Sequence, residues 1–265
     1  MKKSVILLFV VCALATTVFA QSGVKKKRPL PHEYGRVVIN NFSEQAGLPA
    51  VEVEHWLHRS KFTCRLCHVD LAFAMKANGS NIRAADNAKG FYCGTCHNGK
   101  QGPEGKKMFS SCAATWTRDD LPRCQRCHSH GKVVKREYDF DTLTAKFPKE
   151  RFGNGVNWEK AENDGLIKLI DEIPGVSIPR PPMAAVKDFS ISPATQGIAE
   201  IIFSHKKHTV WNGCELCHPQ IFAVRKGLTK NSMVQIFDGQ SCGTCHLSVA
   251  FPVIDCQRCH TQPVQ

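Results

Sequence analysis

Beyond residue 20 the sequence has no apolar run of the ~20 residues that a membrane-crossing helix needs, which excludes a polytopic membrane protein and leads us to expect a soluble mature chain. The one apolar stretch lies at the start. Lys2 and Lys3 precede an apolar run over 5–16, and Val18, Phe19 and Ala20 end on the small residue that signal peptidase requires. An uncleaved anchor is the competing reading, but the run is too short to span a bilayer. Residues 1–20 therefore read as a signal peptide, with the mature chain beginning at Gln21. Cys12 does not make this a lipoprotein signal, because Val11 stands where a small residue is needed and apolar sequence continues past it.

Cysteine is almost absent outside one pattern. Fourteen cysteines in an exported chain would ordinarily suggest a disulfide framework, yet twelve of them form six copies of Cys-x-x-Cys-His. The copies are Cys64, Cys67 and His68; Cys93, Cys96 and His97; Cys124, Cys127 and His128; Cys214, Cys217 and His218; Cys242, Cys245 and His246; and Cys256, Cys259 and His260. This is the attachment signal for haem c: the two thiols add across the haem vinyl groups and the histidine ligates the iron from below. A single copy would also suit a zinc half-site or a redox dithiol. Six copies behind an export signal point to six covalently bound haem c groups. Cys112, the only mature cysteine left over, reads as a buried, inert thiol.

A net acidic charge is lacking too. The formal charge is +12, or +10 once Lys2 and Lys3 are removed, a balance that invites a nucleic-acid reading. Six haems would bring twelve propionates against six ferric cores, leaving the loaded chain near +4 oxidised and −2 reduced. The basic residues then mostly balance propionates, and no nucleic-acid partner is expected. Lys25, Lys26, Lys27 and Arg28 read as a solvated tail, with a docking patch for an acidic partner or an anionic membrane as the alternative.

The motifs fall into two triplets with repeated inner residues. The first motif of each is Cys-Arg-Leu-Cys-His or Cys-Glu-Leu-Cys-His, the second is Cys-Gly-Thr-Cys-His in both, and the third is Cys-Gln-Arg-Cys-His in both. His55 and His58 precede Cys64 by nine and six residues, and His205 and His208 precede Cys214 by the same intervals. This is an internal duplication. It divides the chain into the signal peptide over 1–20, a trihaem module with an N-terminal extension over 21–130, a haem-free connector over 131–197, and a second trihaem module over 198–265. In the connector a helix is expected over 158–170 with Asn157 as N-cap, weakened by Gly165 and followed by Pro174, Pro179, Pro181 and Pro182. The β-branched segments 51–53 and 198–202 read as short strands. With about 41 mature residues per haem, the fold class expected is small and mostly irregular, with short α-helices and a short β-strand pair per module around a haem core.

Phe203, His205 and His208 ahead of Cys214 form Phe-x-His-x-x-His before a haem motif, which resembles the cytochrome c3/c7 superfamily of low-potential multihaem cytochromes. The resemblance covers roughly 51–130 and 198–260, as two tandem cytochrome c7-like modules. It implies that the first histidine of each pair is the distal ligand of the nearest haem and the second serves the next. His55 would then pair with His68, His58 with His97, His205 with His218 and His208 with His246. Residues three apart on a helical turn share a face, so one segment can present both rings. The sequence departs from the family in two ways. Val53 stands where the first phenylalanine would be, and neither 81–92 nor 231–241 contains the further histidine that cytochrome c7 places before its second motif. The distal ligand of the third haem in each half is therefore open. Met233 is the candidate for the haem of His260, Met75 or His32 for that of His128, and His130 is a candidate if it reaches the other module, with packing or solvent exposure as the plainer role for each.

Haems with both axial positions filled accept, hold and pass electrons. The expected function is electron transfer between redox proteins in anaerobic respiration, in the periplasm or at the outer surface, and not enzymatic turnover. Two alternatives stay open. The chain would suit the haem subunit of a membrane quinol-oxidising complex or an assembly of outer-surface cytochromes. A multihaem oxyanion reductase would need an open iron, often marked by lysine in place of a motif histidine, and all six motifs end in histidine.

Overall fold

The structure is a computed structural model that describes residues 28–113, 115–181, 186–193 and 195–262. The signal peptide with Cys12, and Lys25, Lys26 and Lys27, lie outside the described residues.

Each module opens on an antiparallel strand pair whose second strand runs directly into the histidine pair. In the first, β1 (Arg36–Ile39) pairs with β2 (Val51–Glu54), with Arg36 opposite Glu54 and Ile39 opposite Val51. In the second, β3 (Phe189–Ile191) pairs with β4 (Ile201–Phe203), with Phe189 opposite Phe203. One strand pair per module is the expected arrangement. The second segment is displaced: the strand runs Ile201–Phe203, and Ile198 lies outside it and exposed. Both partner strands, β1 and β3, lie further upstream than the sequence reading had looked.

Immediately after each pair comes a helix, His55–Arg59 or His205–Asn212, whose first residue is the first histidine. Further along, the helices Ala84–Ala88 and Met233–Phe237 precede the second motif of each module. The third motif folds back onto the strand in both halves. His128 forms an antiparallel bridge with Val51, and His260 forms one with Ile201. The backbone N–H of Glu52 donates to the Cys127 carbonyl at 2.9 Å, and that of Thr261 to the Glu200 carbonyl at 3.1 Å. The duplication read from motif order is thus also a duplication of long-range contacts.

The stretch between the triplets is more than a tether. A cluster of Trp56, Phe140, Val156, Trp158, Ala161, Ile167 and Trp211 draws on both modules, and five of its seven members lie between the triplets. The helix Trp158–Asn163 is capped as expected, the Asn157 side chain accepting from the Lys160 N–H at 2.9 Å. It ends well before residue 170, because Gly165 takes φ +70 and turns the chain. Ile167 then enters the cluster, and Ile170 leaves helical geometry to bridge Phe62.

Polar contacts add to this clamp. Arg180 binds Asp70 of the first module at 2.5 Å and Glu215 of the second at 2.7 Å. Arg65 pairs with Asp171, Arg258 pairs with Glu150, and the Tyr34 hydroxyl donates to the Ala250 carbonyl at 2.5 Å. The two halves meet across a built interface.

Candidate haem-binding sites

Cysteine, cysteine and histidine at i, i+3 and i+4 share a face only if the segment makes a helical turn. Five motifs close that turn with the histidine N–H donating to the first cysteine's carbonyl: His97 and His128 at 2.8 Å, His218 and His246 at 3.0 Å, and His260 at 2.9 Å. The first motif runs into a wider, π-helical turn, Leu66–Asp70, a local form frequent at functional sites. Burial pushes the thiols of Cys67, Cys93 and Cys245 up to about 12 and that of Cys127 to about 11. Redox dithiols have lowered values, so this environment argues against that use of the motifs. Among the described residues no group of three or more His, Cys, Asp or Glu side chains is placed to hold a metal ion by itself.

The imidazoles are oriented by one recurring device. Nδ1 faces a backbone carbonyl in His55 (Gly35, 2.7 Å), His58 (Glu54, 3.2 Å), His68 (Phe73, 2.9 Å) and His128 (Pro49, 2.8 Å). The same holds in His205 (Lys187, 3.1 Å), His208 (Ser204, 2.8 Å), His218 (Phe222, 2.8 Å), His246 (Phe251, 2.9 Å) and His260 (Ala199, 2.7 Å). A carbonyl can only accept, so Nδ1 carries the proton and Nε2 is left with its lone pair, the form that binds iron. His97 is the exception, its Nδ1 buried without a hydrogen bond although the Phe109 backbone lies close enough to favour its charged form. Burial also disfavours the charged form of six of the histidines. It brings His55, His97 and His246 down to about 4 and lowers His58, His68 and His208.

With metal–imidazole bonds of ~2 Å and ~1.2 Å from ring nitrogen to ring centre, imidazoles on opposite sides of one metal ion have centroids ~6.4 Å apart. His55 and His68 are 6.5 Å apart with their planes at 4°, His58 and His97 are 6.5 Å apart at 70°, and His208 and His246 are 6.2 Å apart at 63°. The side chains thus fit an iron between each of these pairs. His205 instead has Phe189 and Phe203 as its ring neighbours, at 5.4 and 5.0 Å. No ring contact between His205 and His218 is found among the described residues.

This repeated fit is matched by a family model, "Cytochrome c7 and related cytochrome c", over residues 51–129 and again over 201–261. The chain belongs to that family. It is a multihaem c-type cytochrome of two tandem cytochrome c7 modules, and the family's business is electron transfer. Among solved structures, a c7-type three-heme cytochrome domain is 31% identical, covering 29% of this chain and 99% of its own, with a TM-score of 0.26. The C-terminal hexaheme fragment of GSU1996 is 24% identical, covering 89% of this chain and 99% of its own, with a TM-score of 0.26. The dodecaheme cytochrome c GSU1996 is 23% identical, covering 86% of this chain and 73% of its own, with a TM-score of 0.27. No curated protein matches the chain. Among the described residues no helix is long and apolar enough to cross a membrane.

The residues weighed for the third cytochrome c7 haem of each module are scattered. His32 lies exposed in the turn Pro31–Glu33, and His130 is exposed with Nδ1 3.0 Å from a Glu52 carboxylate oxygen. Met75 is partly buried, and Met233 is the first residue of the helix Met233–Phe237 and 42% exposed. Cys112 is partly buried, with the Asn87 amide 3.8 Å from its sulfur.

Two kinds of site residue escaped the sequence reading. A Cβ at Gly94 or Gly243 would lie 1.8 Å from the Asn87 carbonyl oxygen or 1.9 Å from that of Ile236, so the glycine of Cys-Gly-Thr-Cys-His lets the preceding helix lie against the motif. The arginine of Cys-Gln-Arg-Cys-His stacks on a phenylalanine that in turn flanks the second-motif histidine. Arg126 sits 3.8 Å over Phe109, which is 4.4 Å from His97, and Arg258 sits 4.4 Å over Phe251, which is 4.3 Å from His246. The signal was present in both cases as a residue repeated at the same place in the two triplets.

Proposed function

We propose that the chain binds six haem c groups, one at each motif, and carries electrons between redox proteins of anaerobic respiration after export, most simply to the periplasm. The observation that supports this reading is the 6.2–6.5 Å spacing between the ring centres of three histidine pairs, with Nδ1 of both rings tied to backbone carbonyls in two of them. Haem c supplies a one-electron iron centre. The protein's own residues would do the rest: Cys64 and Cys67, and their counterparts in the other five motifs, would hold the haem covalently, and His68, His97, His128, His218, His246 and His260 would be its motif iron ligands. His55, His58, His205 and His208 would supply second ligands. A haem held by two side-chain ligands would leave no position for a substrate, so the chain would transfer electrons and not turn over an oxyanion. Met233 is the distal ligand proposed for the haem of His260, and Met75 or His32 for that of His128.

Potentiometric titration with low-temperature magnetic resonance tests this reading. It expects low-spin ferric signals from every haem. One haem of the second module should titrate above its neighbours and carry a weak near-infrared sulfur-to-iron band, both lost in Met233→Ala. A high-spin ferric signal that changes when nitrite is added would overturn it in favour of a reductase.

A further inference from the structure

The other arginines near the module junction, Arg65 buried and Arg180 and Arg258 partly buried, find carboxylates: Arg65 pairs with Asp171, Arg180 with Asp70 and Glu215, and Arg258 with Glu150. Arg59 does not. Among the described residues no carboxylate forms an ion pair with it. Its guanidinium instead lies 4.7 Å from the Trp158 ring centre and 5.2 Å from that of Trp211, and donates to the Val249 carbonyl at 2.9 Å. Two indole faces and one carbonyl are thin compensation for a desolvated cation. Burial pulls its pKa below the ordinary arginine value, but a guanidinium does not deprotonate in proteins, so the charge is permanent.

Its surroundings come from both modules. Cys64, the first anchoring cysteine of the first module, packs against the cluster that contains Trp158 and Trp211. Val249, whose carbonyl holds the guanidinium, belongs to the turn that follows Cys245, its own N–H donating to the Cys245 carbonyl at 3.1 Å. Thioether bonds at these sulfurs would bring the edges of two haems, one from each module, to the same guanidinium.

We propose that Arg59 sets the redox potentials at the junction, its permanent charge favouring the ferrous state of both the haem anchored at Cys64 and Cys67 and the haem anchored at Cys242 and Cys245. The inference rests on the six-haem reading above. When either haem takes one electron from a redox partner, its iron–porphyrin core goes from +1 to neutral. The adjacent cation repels the ferric core and not the ferrous one, and no proton is exchanged. Two indole faces cover part of the charge, so water and salt screen it less than at an open surface. Both potentials would therefore be raised together.

The test is a site-resolved redox titration of the full-length holoprotein. In Arg59→Gln the ferrous-to-ferric ratio of those two haems at a fixed ambient potential should fall about tenfold, or about 59 mV for one electron, while the other four change less than twofold. Arg59→Lys, which keeps the charge, should restore most of the shift. Tyr34→Glu is an independent variant that leaves Arg59 in place and puts a carboxylate near its charge, since Tyr34 and Arg59 already interact electrostatically. It should lower the same two haems, and it decides the matter if Arg59→Gln does not load haem. A fully loaded Arg59→Gln protein with unchanged potentials, or with all six shifted alike, overturns the assignment of Arg59 alone. A parent protein lacking haem at either motif overturns both the six-haem reading and this inference.

Discussion

Made without haem attachment, the chain should remain largely unfolded, with a far-ultraviolet spectrum of disordered polypeptide and no cooperative thermal transition. The side chains cannot hold the fold alone. Ten hydrophobic residues are buried among the described residues, against nineteen large hydrophobics that are exposed. Among the described residues helices are at most eight residues long and strands at most four. Helices shorter than ~12 residues and isolated two-stranded pairs are marginal in water without tertiary packing. Four of the exposed hydrophobics, Val224, Val234, Phe237 and Leu247, lie close in the chain to second-module motifs, as expected of surface that a cofactor would bury. A cooperative melt of the haem-free chain would show that the cluster around Trp158 is a sufficient core, and the cofactor would then be cargo and not scaffold.

Gly94→Ala and Gly243→Ala should each cost several-fold more than a typical glycine substitution and destabilise the second haem site of their module. Neither added methyl faces a flexible side chain. Each meets a backbone carbonyl of the preceding helix at under 2 Å, so Ala84–Ala88 or Met233–Phe237 must move off the motif. Overpacking of this kind costs ~1–3 kcal/mol or more, and the displaced helix no longer shields the haem edge. The expected result is a melting temperature lowered by several degrees and a low-spin signal weakened at one haem, His97 in the first variant and His246 in the second. Gly47→Ala is the control. Its Cβ would meet nothing within 4 Å, and only its φ of +67 is unfavourable, at ~1 kcal/mol. If all three variants behave alike, the close approach at the motif glycines carries no weight.

The chemistry was legible in the sequence because covalent attachment dictates spacing. Cys-x-x-Cys-His must be one helical turn, and His-x-x-His must put two rings on one face, so both survive as local patterns. What lay hidden were partners distant in the chain. The β1 strand, Val37 to Ile39 after Arg36, is a continuous apolar run with no alternation to mark it, and it becomes a strand only through its pairing with Val51–Glu54. The Phe189 strand that pairs with Phe203, and the Lys187 carbonyl that orients His205, lie ahead of the 198–265 module. The stretch from 131 to 197 looked like a spacer because Phe140, Val156 and Trp158 carry no periodic pattern, yet they assemble with Trp56 and Trp211 into the main side-chain cluster. The glycine and arginine repeated between the two triplets of this one chain mark the duplication, and each also has a packing task at its motif.

The account stands most directly on the number of covalent haems. Intact-mass measurement of the chain, made in an oxidising compartment with haem c maturation and denatured to strip anything not covalently bound, should give the polypeptide from Gln21 plus six haem masses. Peptide mapping should place one haem on each of the six motifs, including the most exposed, at Cys256 and Cys259. Five or fewer haems, with an unmodified Cys-x-x-Cys-His peptide, would contradict it.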